Sequence, residues 1–208
     1  MLPGNKTTRL LVATSNLKKL KELHELLAGL PVELLSLKDI PGISEVEETG
    51  STFEENAVLK ARGYAAQTGL LTMGEDSGIC CDALNGDPGV FSARYAGAGK
   101  NDDDNNAKLL EVMKHVPEEQ RTAYYESAIA LAESGKLIGV VKGQVHGVIA
   151  NELHGTGGFG YDPLFYYPPY QKTFGQVSSE MKHKVSHRGK ALEEFRKLLA
   201  FYFDGLAR

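Results

Sequence analysis

Apolar and polar residues alternate along this chain in two rhythms, one short and strand-like, the other helical. The run Arg9-Leu-Leu-Val-Ala-Thr14 reads as a buried strand. Asn16 then stands where it can cap a helix, and leucines at 17, 20, 23, 26, 27 and 30 keep helical spacing. Residues 32–37 predict a second strand. Thr52-x-x-Glu55 is a capping box, opening a helix that runs to about Gln67 and stops at Gly69. Residues 70–74 and 79–84 read as two strand pieces, interrupted by Glu75-Asp76-Ser77-Gly78, with Gly78 permitting a sharp bend. Asn85-Gly-Asp-Pro-Gly89 is turn chemistry. A helix follows over 102–115, with three aspartates at its positive end. Residues 122–132 and 136–150 pair as a hairpin across Glu133-Ser-Gly-Lys136. Leu164-Phe-Tyr-Tyr167 predicts a short strand, and 187–203 a last helix. Helices alternating with strands, plus a hairpin, predict an α/β chain whose sheet is not purely parallel.

Composition narrows the class. A length of 208 residues, 42% hydrophobic and 24% charged, suits one large domain or one compact two-lobed unit, with an ample core. A net charge of −4 argues against a protein that coats nucleic acid, and no apolar run reaches membrane length. Residues 1–8 lack the apolar core of a secretory signal and read as a short loose leader. Cys80 and Cys81 are adjacent, which suits neither a disulfide framework nor a Cys-x-x-Cys site. Strand alternation sends them to opposite faces as small hydrophobes. A soluble cytoplasmic protein is expected, without nucleic-acid or membrane partners.

Three polar clusters carry candidate chemistry. Gly155-Thr-Gly-Gly-Phe-Gly-Tyr-Asp-Pro163 has four glycines in six positions, one aromatic ring and one carboxylate. Later come the donors Lys182, Lys184, His187 and Arg188. A bare backbone, a stacking ring, an acceptor and several donors suit a nucleobase read along its edge. The alternative is a glycine-rich turn followed by a basic helix start. Gly155-x-Gly157-x-x-Gly160 matches the dinucleotide fingerprint letter for letter, yet an aromatic strand follows where that fingerprint needs a helix.

The second cluster, Thr14-Ser-Asn16-x-x-Lys19, lies where strand becomes helix. It can meet an anion with backbone N–H groups and one ammonium, or it is simply a helix cap. The third comprises Glu48, Glu75 and Asp76, hard oxygen ligands of the kind that hold Mg²⁺ together with substrate phosphates, with Lys60 close by. Its alternative is a set of turn acids bonded at the surface. His183 and His187 have a helical metal spacing without a third ligand, and 102–104 read as an ordinary helix start.

In this order, Thr14-x-Asn16-x-x-Lys19, Glu47-Glu-Thr-Gly50 with Thr52-Phe-x-Glu-Asn-Ala57, Leu59-Lys-Ala-Arg62, Asp76-Ser-Gly78, Pro88-Gly89, Ser92-Ala-Arg-Tyr95, the 155–163 run and Ser186-His-Arg-Gly189 resemble one family. It is the inosine triphosphate pyrophosphatases, in particular bacterial members acting on xanthosine and deoxyinosine triphosphates. The resemblance runs from about residue 11 to 199. It implies a single domain over 1–208, a two-lobed α/β unit with a long mixed twisted sheet flanked by helices and the nucleotide in the cleft between lobes. It also implies a homodimer, and an enzyme that converts deaminated purine nucleoside triphosphates (ITP, dITP, XTP) to monophosphate and pyrophosphate.

By the same resemblance Thr14, Ser15, Asn16, Leu17, Lys18 and Lys19 bind the triphosphate, and Glu48 and Asp76 hold Mg²⁺. Asp76 activates water, with Glu75 and Lys60 in the catalytic group and Ser77 nearby. Phe159, Gly160, Tyr161, Asp162, Lys182, His187 and Arg188 take the base. Two positions depart from the family pattern: Glu75 stands where a second aspartate is usual, and Ser15 where glycine is common. The rival readings are the same chemistry with another base preference, and a non-catalytic purine nucleotide sensor. A sensor has no use for Glu48, Glu75, Asp76 and Lys60 together.

Overall fold

A computed structural model describes residues 8–97, 99 and 101–206. It divides into two compact units, one of Met1–Asp76, Ala128–Val141 and Leu192–Arg208, the other of Ser77–Ser127 and Lys142–Ala191. Among the described residues, seven strands form one open mixed sheet in the order β2-β1-β3-β4-β5-β6-β7.

The first unit opens with β1 (Thr8–Ala13), α1 (Leu17–Leu27), β2 (Val32–Ser36), α2 (Phe53–Thr68) and the start of β3 (Leu71–Cys81). β1 pairs in parallel with β2 on one side, Val12 opposite Ser36, and with β3 on the other, Ala13 opposite Gly74. The chain thus runs outward from β1 to β2 and returns past β1 to β3. Right-handed crossovers place α1 and α2 on opposite faces of these strands. The carboxyl end of β1, beside the middle of β3, marks the reversal in strand order, the place where open α/β sheets take ligands.

Thr52 and Glu55 close the predicted capping box at the start of α2, and Gly69, at φ +68°, ends it. Gly74 sets how near α2 comes to β3. A Cβ there would lie 2.3 Å from the Ala57 carbonyl oxygen and 2.6 Å from the Ala61 nitrogen, so only glycine fits. β4 (Thr122–Glu133) and β5 (Lys136–Ile149) form the predicted hairpin, with Ser134 and Gly135 both at positive φ as a two-residue turn requires.

The second unit adds α3 (Asp102–Met113), β6 (Phe165–Tyr167), β7 (Lys172–Thr173), α4 (Ser179–Val185) and the start of α5 (His187–Leu206). β6 runs antiparallel to β5 and β7 antiparallel to β6. Its core gathers Ile79, Leu109, Met113, Tyr125, Phe165 and Phe174, with Phe165 and Phe174 fully buried. Among the described residues no helix is long and apolar enough to cross a membrane.

The sequence expectations need four corrections. Glu75-Asp76-Ser77-Gly78 is not an interruption: β3 is continuous through it, because a strand lodged between β1 and β4 keeps its ladder whatever side chains it carries. Residues 82–84, expected as strand, turn as a 3₁₀ segment. A short helix, α4, precedes the last one, which continues to Leu206. Of the leader, residues 1–7 lie outside the described residues, and Thr8 already opens β1.

Candidate active site

Asp76 lies in the middle of β3, in line with Gly74 on the face that α2 covers. Because Gly74 lets α2 sit directly on the strand, Lys60, one turn beyond Asn56, reaches the carboxylate. Lys60 Nζ is 3.1 Å from Asp76 Oδ1 and 3.1 Å from Glu48 Oε2. The other Asp76 oxygen accepts from Asn56 Nδ2 at 3.3 Å, while Asn56 Oδ1 takes the Gly50 N–H at 2.8 Å. That second bond draws the segment carrying Glu48 down to the start of α2. Burial pushes the Asp76 carboxyl above its ordinary value; Lys60 and Lys19 oppose this, and Glu48 and Glu75 add to it. For Lys60, burial works to lower the ammonium, but Asp76, Glu48 and Glu75 together hold it above the usual lysine value.

Glu75 is directed otherwise. Neighbours in a strand point to opposite faces, and Glu75 is paired with Lys19 of α1, Nζ to Oε2 at 3.1 Å, with its side chain 1% exposed. The expected shell of Glu48, Glu75 and Asp76 is therefore not assembled as a triplet. Among the described residues, no three Asp, Glu, His or Cys side chains group as a metal cage. Two carboxylates converging on one positive charge, as Glu48 and Asp76 do on Lys60, nevertheless fit Mg²⁺, which completes its shell with water and phosphate oxygens.

The turn from β1 into α1 carries Thr14, Ser15, Asn16, Leu17, Lys18 and Lys19. Asn16 caps the helix, its Oδ1 accepting from Lys18 N at 3.0 Å and Lys19 N at 3.2 Å. The Asn16 N–H donates to Thr14 Oγ1 at 3.2 Å. The helix-cap alternative describes this local geometry. Register adds what the motif alone does not: Ala13 pairs with Gly74, so the turn emerges beside the strand carrying Glu75 and Asp76.

In the second unit the 155–163 run folds as a glycine-rich loop. Gly155, Gly158 and Gly160 all have positive φ. At Gly158 a Cβ would also meet Asp162 Oδ2 at 2.0 Å. Asp162 Oδ2 accepts from the Phe159 N–H at 2.8 Å and from Lys182 Nζ at 2.7 Å, in an ion pair whose side chains are 2% and 4% exposed. Lys182 Nζ lies 4.9 Å and Arg188 Cζ 5.7 Å from the centre of the Phe159 ring. His187 opens α5 and stacks on Tyr125, ring centres 4.6 Å apart and 11° from parallel. Phe159, Asp162, Lys182 and Arg188 are thus brought together, with His187 next in sequence to Arg188.

Tyr161 differs: its ring belongs to the core and its hydroxyl donates to the Ser92 carbonyl at 2.8 Å, so only its backbone faces the loop. Ser77 accepts from Arg188 Nη2 at 2.9 Å. His183 ends up on α4 while His187 starts α5, which removes the helical spacing that suggested a metal pair. Lys184 pairs with Glu180 at the surface. Sequence reasoning missed Asn56, which positions Asp76, although it lies in the quoted Thr52–Ala57 motif. It also missed Asp102 and Asn106, both bonded to Gly160; no local signal links positions so far apart in sequence.

The chain as a whole matches known proteins. The Ham1 family model matches residues 10–198. The dITP/XTP pyrophosphatase of Desulforamulus reducens is 49% identical, over 92% of this chain and 95% of that protein. That of Geobacter sulfurreducens is 51% identical, over 89% and 93%. A solved HAM1 protein from Coxiella burnetii superposes with a TM-score of 0.85 at 40% identity, covering 93% of this chain and 98% of its own. The resemblance read from the motifs holds across nearly the full length, and the chain belongs to the Ham1 family.

Proposed function

We propose that this protein is a dITP/XTP pyrophosphatase, hydrolysing deaminated purine nucleoside triphosphates to the monophosphate and pyrophosphate. The observation that carries the reading is the convergence of Glu48 and Asp76 on Lys60, beside the β1–α1 turn. A nucleotide-binding module without chemistry has no need to bury the Lys60–Asp76 pair and aim a further carboxylate, the exposed Glu48, at the same ammonium.

In the proposed reaction a water oxygen attacks the α-phosphorus, and the bond from that phosphorus to the α–β bridging oxygen breaks. Asp76 orients the water and receives its proton, a task suited to a carboxyl raised by burial. Lys60 fixes the Asp76 carboxylate and balances its charge, and Asn56 holds the second oxygen. Lys19 and the 14–19 turn meet the departing pyrophosphate with positive charge. Mg²⁺ held by Glu48 and Asp76 would neutralise phosphate charge. Lys182 and Arg188, donors only, match the 6-oxo group of hypoxanthine or xanthine and oppose the 6-amino group of adenine. Phe159 supplies the stacking face.

The family resemblance further supports a homodimer, which light scattering tests, and a cytoplasmic setting, with which the two free buried cysteines agree. The deciding experiment incubates the protein and Mg²⁺ with ITP, XTP, ATP, GTP, CTP and UTP, assaying pyrophosphate separately from orthophosphate. Pyrophosphate from ITP and XTP is expected. Turnover of another base supports the same chemistry with a different pocket. Binding without turnover supports a sensor.

A further inference from the structure

We infer that the first turn of α3 is a clamp that positions the base platform, with Asp102 and Asn106 as positioning residues for the purine. Asp102 Oδ2 accepts from the Gly160 N–H at 2.9 Å, and Asn106 Nδ2 donates to the Gly160 carbonyl at 2.8 Å. Both polar groups of one residue are thereby held by side chains from one helical turn. Gly160 sits at φ +61° with nothing within 4 Å of where a Cβ would be, so no wall on that side holds it. These two hydrogen bonds do hold it. Its neighbour Phe159 is held from the other side by Asp162, so the ring lies between two anchored peptides.

The helix is itself immobilised at both ends. At its C-terminus, Arg121, 2% exposed, donates to the Met113 carbonyl at 2.6 Å and to Ile149 and Ala150 at 2.8 and 3.0 Å, where β5 leads toward the glycine run. At its N-terminus, Asn105, 3% exposed, accepts from Ala96 N at 2.7 Å and donates to the Ala93 carbonyl at 3.3 Å. The Asn106 amide also donates to the Asp102 carbonyl at 2.8 Å, which fixes its orientation and leaves its buried Oδ1 without a donor. A buried amide that leaves one acceptor unmet in order to hold two carbonyls is committed to position. The first turn of α3 thus acts as a splint for the peptide that follows Phe159.

This inference rests on the base-binding role proposed above and is tested so that the two fail separately. Asp102 is half-buried, so Asp102→Ala should fold, as melting temperature checks. Its KM for ITP should rise about tenfold, the scale of one charge-assisted hydrogen bond, with kcat within about twofold. Asp102→Asn keeps an acceptor oxygen and should recover most of the loss. A purely structural role would instead lower the active fraction, reducing apparent kcat at unchanged KM. Amide exchange at Gly160, followed by NMR without nucleotide, should accelerate at least about tenfold in Asp102→Ala. Unchanged exchange overturns the clamp. Faster exchange with unchanged KM overturns its role in base binding. If the wild type does not turn over ITP, the functional reading fails and the exchange data still decide the clamp.

Discussion

Arg188 donates to the Ser77 hydroxyl at 2.9 Å, and Ser77 follows Asp76 in β3. The guanidinium that faces the Phe159 ring is thus bonded to the residue beside the proposed general base. Arg188→Ala should lower ITP turnover much more than ATP turnover, since each unmet buried donor or acceptor is worth about 1–3 kcal/mol. Phe159→Ala should weaken all bases alike, because every base has a π-face. An ITP-to-ATP ratio unmoved by Arg188→Ala would remove Arg188 from reading the 6-position.

Asp76→Asn should cost about two to four decades of kcat, the range for losing a general base. The amide keeps an acceptor for Lys60 Nζ but sets its NH₂ against Asn56 Nδ2 and removes a buried charge, so the chain should fold with a lowered melting temperature. Near-normal kcat in this variant would exclude Asp76 from proton transfer.

The Lys182–Asp162 pair is almost fully buried, and such pairs punish single removal more than joint replacement. Asp162→Leu should destabilise by about 3–5 kcal/mol in urea unfolding, and Lys182→Met similarly. The double variant should recover much of that stability while remaining inactive on ITP. Additive losses in the double variant would show that the two charges do not depend on one another.

Glu75 is where the structure changes the meaning of a sequence departure. Its extra methylene lets the carboxylate reach Lys19 on the α1 side, away from Asp76. Glu75→Asp keeps the charge, and the flexible lysine can follow it. We expect kcat within about threefold of the wild type, since the long Lys19 stem absorbs the shift. Lys19→Met should raise KM for every triphosphate regardless of base. A Lys19→Met effect confined to one base would contradict a phosphate role.

Burial pushes the Cys81 thiol up to about 12. Below an ordinary thiol value of 9.0 both folded and unfolded chains carry it neutral. Between that value and about 12 only the unfolded chain ionises, so stability is lost as pH rises through this window. The urea midpoint of the wild type should therefore fall more between pH about 8 and about 10.5 than that of Cys81→Ala. Equal falls would mean the thiol is not protected.

Much of this was legible in the sequence because it is local. The Thr52–Glu55 box, the Gly69 stop, the Ser134-Gly135 hairpin and the Asn16 cap each involve residues a few positions apart, where spacing alone dictates the bond. The errors arose where tertiary packing overrides local preference. Glu75-Asp76-Ser77-Gly78 has the composition of a turn, yet neighbouring strands hold it extended. Strand alternation was available as a principle and separates Glu75 from Asp76, but only once the run is known to be a strand. The Gly160 clamp spans more than fifty residues, and no spacing rule reaches that far.

The bare Cα of Gly74 has one more implication. Where side chains meet, rotamers can yield and a gap can be adjusted by substitution; where a helix backbone rests on a strand backbone, nothing is left to yield. The spacing of the α2 backbone over β3, on which Lys60 and Asp76 are mounted, is therefore a fixed gauge in variants that keep the glycine. Laboratory evolution toward other substrates or metals should accumulate changes in Glu48, the 14–19 turn and the glycine-rich loop. Position 74 should stay invariant in every surviving lineage.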